Sequence, residues 1–206
     1  MTDLAAALLA WGQDARRDLP WRRTHDPWAV LVSEVMLQQT GVGRVVPRYA
    51  RFLGEFPTPA ACAAAPVAAV LREWKRLGYN RRAVALHRAA TVIVEQHGGR
   101  VPARLAELRA LPGVGAYTAR AVLVFAYERD HGVVDTNAAR VLARAVAGRS
   151  LRPREVQALA DRLVPPGQSW AWNQAVLDLG ATVCTARTPG CTGCPLAGEC
   201  AWHVAG

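Results

Sequence analysis

Apolar residues recur at three- and four-residue spacing along almost the whole chain. Nowhere do they alternate with polar ones in the sustained period-two pattern of a half-buried strand. A chain patterned this way folds as helices packed on helices. Its punctuation is local. Asp26-Pro27 joins a capping side chain to a proline at the first helical position, which predicts a helix from Pro27 to about residue 40. Gly98-Gly99 stops a long helix expected over about 80–97. Residues 2–17 read as an amphipathic helix with Thr2 as its cap. Further helices are expected near 44–54, 58–64, 66–77, 102–110, 116–129, 136–147, 153–164 and 168–182. Strands should be scarce, and there are no repeats or low-complexity linkers. The 206 residues are enough for one large domain or two small ones with a sizeable core.

Composition narrows the function classes. Hydrophobic residues make up 51% and charged ones 20%, which excludes a disordered tail, a collagen-like fibre and a coiled-coil rod. Charges interrupt every long apolar stretch before it reaches the roughly 18–20 residues of a membrane span. The first turn carries Asp3 and no basic cluster, so no secretory signal is expected and the protein should be cytoplasmic. The formal charge is +9. Lys75 is the only lysine among 25 basic residues, so coding bias favours arginine. Bias explains arginine over lysine, but not the excess of arginine over acid. A compact, strongly basic domain points to a polyanionic partner, and nucleic acid is the obvious one.

Four of the five cysteines fall within seventeen residues: Cys184, Cys191, Cys194 and Cys200, spaced C-x6-C-x2-C-x5-C. Disulfides explain this poorly, because Cys62 is left over and nothing suggests secretion. Four thiolates on one short loop can surround a metal centre. Structural zinc usually takes its ligands as two close pairs, and only Cys191 and Cys194 form one. A [4Fe–4S] cluster takes four thiolates and tolerates uneven spacing, so it fits better, with zinc as the alternative. Cys62, in an Ala-rich helix, reads as a small core residue.

Leu111-Pro112-Gly113-Val114-Gly115 separates two helical segments. Glycines two apart permit a tight turn and a close approach of the backbone to a ligand. The N–H groups that open the next helix at Ala116 suit a phosphate. A plain interhelical turn would explain the same letters. Beside a basic chain and a thiolate loop, a DNA-backbone contact is the better reading.

Two acids stand out. Glu34 lies inside the apolar helix from Pro27, on one face with Val30, Leu31, Leu37 and Gln38. A carboxylate on such a face is expected to be desolvated, with its pKa raised. The bland alternative is a salt bridge to an arginine. Asp135 precedes Thr136-Asn137-Ala138, where a helix begins, and its bland alternative is a helix N-cap. Together the two suggest a protonated acid and an ionised partner, a division of labour suited to breaking a glycosidic bond.

The hairpin through Val114-Gly115-Ala116-Tyr117-Thr118-Ala119, then Val134-Asp135-Thr136-Asn137, then the four-cysteine loop resemble the helix-hairpin-helix DNA glycosylases that carry an iron–sulfur cluster. Ser33-Glu34-Val35-Met36-Leu37-Gln38-Gln39-Thr40 and Leu77-Gly78-Tyr79 narrow the resemblance to the MutY-type adenine DNA glycosylases. It covers about Trp11 to Trp202. It implies an all-α, two-lobed fold with a C-terminal [4Fe–4S] loop. One lobe should span about 27–130 and the other about 1–26 plus 131–206, with DNA in the cleft between them. The partner implied is double-stranded DNA holding a mismatch or lesion, bound by a monomer.

By this resemblance, Glu34 protonates a flipped adenine, Asp135 stabilises or attacks the oxocarbenium-like sugar, and Asn137 supports that acid. Tyr117 takes the hairpin position where bifunctional relatives of the endonuclease III type carry a Schiff-base lysine, so no lyase activity is expected. Arg17, Leu19, Trp21, Leu37 and Gln174 match positions that line the adenine pocket. Gln39 and Tyr79 match residues that wedge into the duplex beside the extruded base; Trp21 and Tyr79 could equally be core aromatics. Gly113, Gly115, Arg120, Arg140 and Arg187 are the expected contacts to the DNA backbone.

The chain departs from the pattern in three ways. MutY-type enzymes carry a C-terminal domain that reads 8-oxoguanine, and these 206 residues read as the catalytic domain without it. Thr136 stands where many relatives have glycine. Tyr117 also resembles the thymine/uracil mismatch glycosylases, which lack the Gln-Gln pair and the Leu-Gly-Tyr motif. The expected activity is removal of adenine opposite guanine or 8-oxoguanine. The alternatives are removal of uracil or thymine opposite guanine, a non-catalytic DNA-binding hairpin module, and a zinc-stapled structural protein.

Overall fold

The computed structural model describes residues 2–204, with the side chains of Thr2 and Asp3 outside the described set; the capping role expected of Thr2 therefore lies outside the described residues. Among those residues there are twelve α-helices and no strand. They are α1 (Thr2–Ala15), α2 (Pro27–Leu37), α3 (Val42–Glu55), α4 (Pro59–Ala64), α5 (Val67–Glu73), α6 (Arg81–His97), α7 (Leu105–Ala110), α8 (Ala116–Phe125), α9 (Thr136–Leu142), α10 (Pro153–Leu163), α11 (Ser169–Thr182) and α12 (Ala201–Val204). None is long and apolar enough to cross a membrane.

The boundaries follow the punctuation with instructive exceptions. Asp26 caps α2 by accepting from the Trp28 N–H at 3.1 Å, ahead of Pro27. That helix ends at Leu37 rather than near residue 40, because Gln39 takes a left-handed φ of +56°. Gly98, at φ +58°, closes α6 as expected. The helix from Thr136 keeps its α geometry only to Leu142 and then widens into a π turn over Ala143–Ala147.

The chain divides into two compact units: Asp18–Tyr127, and the segments on either side of it. Residues 18–26, expected with the N-terminal helix, belong instead to the first unit. There Trp21 is 7% exposed and meets Tyr49 edge-on, with ring centroids 5.5 Å apart. In this unit α2 packs on α8, α3 and α6. Its core includes Leu31, Met36, Phe52, Trp74 and Leu86, all fully buried. Cys62 is buried here too, and burial pushes its thiol up to about 12, the state of an inert core residue.

In the second unit α1 and α9 both pack on α11. Leu8, Val141, Leu159, Trp172 and Leu179 form its core, with Cys184, Cys194 and Cys200 packed against it. Gly180 allows the α9–α11 approach, since a Cβ there would stand 2.8 Å from the Asn137 Cβ and 3.0 Å from its backbone. The buried Asp178 of α11 accepts from the Arg17 backbone N–H at 3.1 Å and from its Nε at 2.5 Å, which fastens the end of the N-terminal segment.

Candidate active site

In the Asp18–Tyr127 unit, Glu34 sits in α2 and is 5% exposed, between the buried Ser33 and Val35. Leu37 and Gln38 lie at the end of that helix and are partly exposed. The Gln38 side chain donates to the Thr118 hydroxyl at 3.2 Å and to the Gly113 carbonyl at 3.4 Å, which ties this helix end to the glycine hairpin. Gly113 has a φ of +78°, and a Cβ on it would lie 2.7 Å from that of Ala85. Only glycine meets both conditions. Gly115 is extended and opens onto free space at the start of α8, with no side chain capping the helix. It leaves backbone N–H groups approachable, as a phosphate contact requires. Tyr117 and Arg120 lie on α8, partly exposed.

Gln39 and Tyr79 are both exposed, Tyr79 by 53%, and both are left-handed, Tyr79 at φ +48°. Tyr79 is therefore not a core aromatic. Leu19 and Trp21, by contrast, are buried in this unit. Neither Gln39 nor Tyr79 is glycine or asparagine, so each pays a conformational penalty that the surroundings must impose. Arg82 imposes it. This residue, 6% exposed, donates to the carbonyls of Val35, Met36, Gln38, Leu77 and Gly78 and to the Thr40 hydroxyl. Sequence reasoning missed it, because Arg81-Arg82 reads as a solvated basic pair.

In the second unit, Asp135 is the N-cap of α9. One carboxylate oxygen accepts from the Ala138 N–H at 2.7 Å and the other from the Asn137 amide at 3.2 Å. The cap and the catalytic candidate are the same group. Asn173, fully buried on α11, orients the segment leading to Asp135: it accepts from the Val133 N–H at 2.7 Å and donates to the His131 carbonyl at 2.9 Å. It too was missed: Asn173 stands beside a second polar residue, Gln174, and nothing local marks it as buried. Gln174 is 5% exposed, one helical turn before Asp178, which holds Arg17.

Arg140, expected at a DNA phosphate, turns inward. It donates to the Cys184 carbonyl at 2.7 Å, the Gly180 carbonyl at 2.6 Å, the Asn137 side chain at 2.8 Å and the Thr136 carbonyl at 3.4 Å. It clamps the cysteine loop to α9 and α11. Arg187 is exposed on the loop.

The four cysteines line a single cavity walled by Val141, Ala145, Leu179, Leu196 and Trp202. All are free thiols. Burial pushes the Cys194 thiol up, and the neighbouring Cys184, Cys200 and Cys191 raise it further. A cationic centre among them would offset that rise at Cys194 by stabilising its thiolate. Among the described residues, no three His, Cys, Asp or Glu side chains are placed to hold one metal ion. Zinc would need four thiolates about 2.3 Å from one point. An iron–sulfur cluster distributes its thiolates over several irons, and here four cysteines line one apolar cavity.

Comparisons bear on this arrangement. Residues 32–166 match the model for the HhH-GPD superfamily of base excision DNA repair proteins. An adenine DNA glycosylase of Mycolicibacterium smegmatis is 49% identical over 203 residues, covering 97% of this chain and 69% of the relative. A thymine/uracil-DNA glycosylase of Methanothermobacter thermautotrophicus is 32% identical over 205 residues, covering 97% of this chain and 92% of the relative. The solved structure of a thermostable thymine-DNA glycosylase matches with a TM-score of 0.92 at 30% identity, covering 98% of this chain and 96% of that one. With a family match across the hairpin and both candidate acids, the chain belongs to the HhH-GPD superfamily of base excision DNA repair proteins.

Proposed function

We propose that this chain is a monofunctional DNA glycosylase that hydrolyses the N-glycosidic bond of adenine mispaired with guanine or 8-oxoguanine. The observation that carries the reading is a 5%-exposed carboxyl, Glu34, in the same helix whose end leads into the exposed, left-handed Gln39. A base inside a duplex must be extruded before chemistry, and the gap needs a plug. Gln39 and Tyr79 supply the plug. Glu34 donates a proton to the extruded adenine, which then leaves as a neutral base. Asp135, oriented by Ala138 and Asn137, stabilises the positive charge that develops on the sugar. Water completes the hydrolysis. Arg17, Leu19, Trp21, Leu37 and Gln174 are the base-pocket candidates. The 49% identity to an adenine enzyme, against 32% to a thymine/uracil enzyme, supports adenine, as do Gln38-Gln39 and Leu77-Gly78-Tyr79.

The deciding experiment is single-turnover excision on duplexes carrying A:G, A:8-oxoG, T:G, U:G and hypoxanthine pairs. Adenine should be released fastest, leaving an intact abasic site. Strand cleavage by β-elimination needs an amine that forms an imine at the sugar. The Tyr117 phenol cannot form one, and the sole lysine, Lys75, lies outside the hairpin. Release of thymine or uracil instead would establish the mismatch alternative. Strand nicking at the rate of base release would show a bifunctional enzyme.

Cys184, Cys191, Cys194 and Cys200 would hold a [4Fe–4S] cluster. Bound there, it cross-links the loop to the core and supplies no reaction step, since four protein ligands leave no position for substrate. Anaerobically prepared protein should contain about four irons per chain and no zinc. Zinc without iron in elemental analysis sinks this assignment.

Duplex binding should weaken steeply with salt, as arginines displace counterions. Arg187→Ala should reduce the slope of log affinity against log salt by about 1. Arg140→Ala should act differently, since its guanidinium is occupied by the fold. It should lower the melting temperature and loosen the cysteine loop more than it changes the slope. Titrations between about 50 and 200 mM salt, with thermal melts, separate the two.

A further inference from the structure

We infer that Arg82 is a positioning residue that sets Gln39 and Tyr79 as one preformed wedge; this rests on the reading that those two side chains replace the extruded base. The two carbonyls that matter most are those of Gln38 and Gly78, the peptide oxygens directly before Gln39 and Tyr79. Arg82 Nη1 donates to the first, and Nη2 to the second at 3.1 Å. One planar guanidinium therefore pins the peptide planes entering both left-handed residues, at φ +56° and +48°. Left-handed backbone at residues with a Cβ persists only where its surroundings over-determine it.

The same group reaches further. Nη1 donates to the Val35 and Met36 carbonyls at 3.0 and 2.9 Å, in the last turn of the helix that carries Glu34. Nη2 donates to the Thr40 hydroxyl at 2.8 Å and the Leu77 carbonyl at 3.2 Å. Six acceptors share its four terminal N–H groups, while Nε has no partner. The guanidinium also lies 5.4 Å from the centre of the Tyr79 ring and 5.5 Å from that of Trp74, which steadies an otherwise exposed tyrosine. A lysine keeps the charge but cannot fork to two loops at once. Arg82 thus acts through the wedge rather than on the base.

The test is a double-mutant cycle on the full chain, with two readouts. One is single-turnover adenine excision. The other is fluorescence of 2-aminopurine placed beside the target base, which reports unstacking without chemistry. Arg82→Lys should lower excision about 10²-fold and remove the fluorescence rise. Placed on a background carrying both Gln39→Ala and Tyr79→Ala, it should cause no further loss, because the residues it acts through are gone. A loss of the same factor on that background would mean that Arg82 serves the fold alone, and would overturn the inference. Should Arg82→Lys fail to fold, Thr40→Val replaces it, keeping the guanidinium and removing one acceptor. That variant should lose about 5-fold in excision, again only while the wedge residues are present; excision equal to wild type overturns the inference. If no protein excises adenine but the fluorescence pattern holds, the adenine reading falls and the role of Arg82 stands. If wild type itself gives no fluorescence rise, the wedge and the role of Arg82 both fall.

Discussion

Glu34→Gln should abolish base excision while leaving duplex binding nearly intact. The amide keeps the length and shape of the side chain, so the packing of a residue only 5% exposed on α2 is preserved. What it loses is a proton that can be donated at neutral pH. General acid catalysis is typically worth about 10²–10⁴ in rate, and the single-turnover rate should fall by that factor. The competing role for a buried glutamate is structural, as the partner of a cation. In that case the amide would lower the melting temperature, and excision at a temperature where the variant is folded would stay near normal. Rates and melts on one preparation therefore separate the roles. Near-wild-type excision removes Glu34 as the acid.

The parts of this molecule that could be read from its letters are those whose determinants lie close together in sequence. The cysteines fall within seventeen residues, the hairpin glycines stand two apart, and Asp26-Pro27 carries its own capping chemistry. What escaped depends on distant partners. Arg82 looks like its exposed neighbour Arg81, and it is buried only because acceptors arrive from Val35–Thr40, more than 40 positions away. Those acceptors lie where α2 ends at Leu37. Helical periodicity runs straight through Gln38-Gln39, and no glycine or asparagine marks the left-handed turn. Composition counted Arg140 and Arg187 as equal cations. The carbonyls of Gly180 and Cys184 engage the guanidinium of Arg140, and only the fold brings those carbonyls near. The π turn at Ala143–Ala147 is of the same kind. It lets Arg144 reach the Thr185 carbonyl at 2.8 Å and lie 4.9 Å from the Trp202 ring, contacts that helix propensity does not encode.

Asp135→Asn is the substitution that discriminates best between two roles the structure gives to one carboxylate. As the N-cap of α9, Asp135 accepts from the Ala138 N–H at 2.7 Å. Asparagine caps helices about as well as aspartate, so the variant should fold with a melting temperature close to wild type. The second oxygen, which accepts from the Asn137 amide at 3.2 Å, becomes an NH2 group, so that one weaker contact is lost while the single amide oxygen keeps the cap. The negative charge is lost with it. If Asp135 stabilises the sugar cation, excision should drop about 10²–10³-fold, the scale seen when one preorganised electrostatic partner of a transition state is removed. If capping is its whole task, excision should follow stability and hardly change. Asp135→Ala supplies the opposite control. It removes the cap as well as the charge, and should cost about 1 kcal/mol of stability on top of the same loss in rate. A stable Asp135→Asn protein that excises adenine at the wild-type rate would leave Asp135 a helix cap and nothing more.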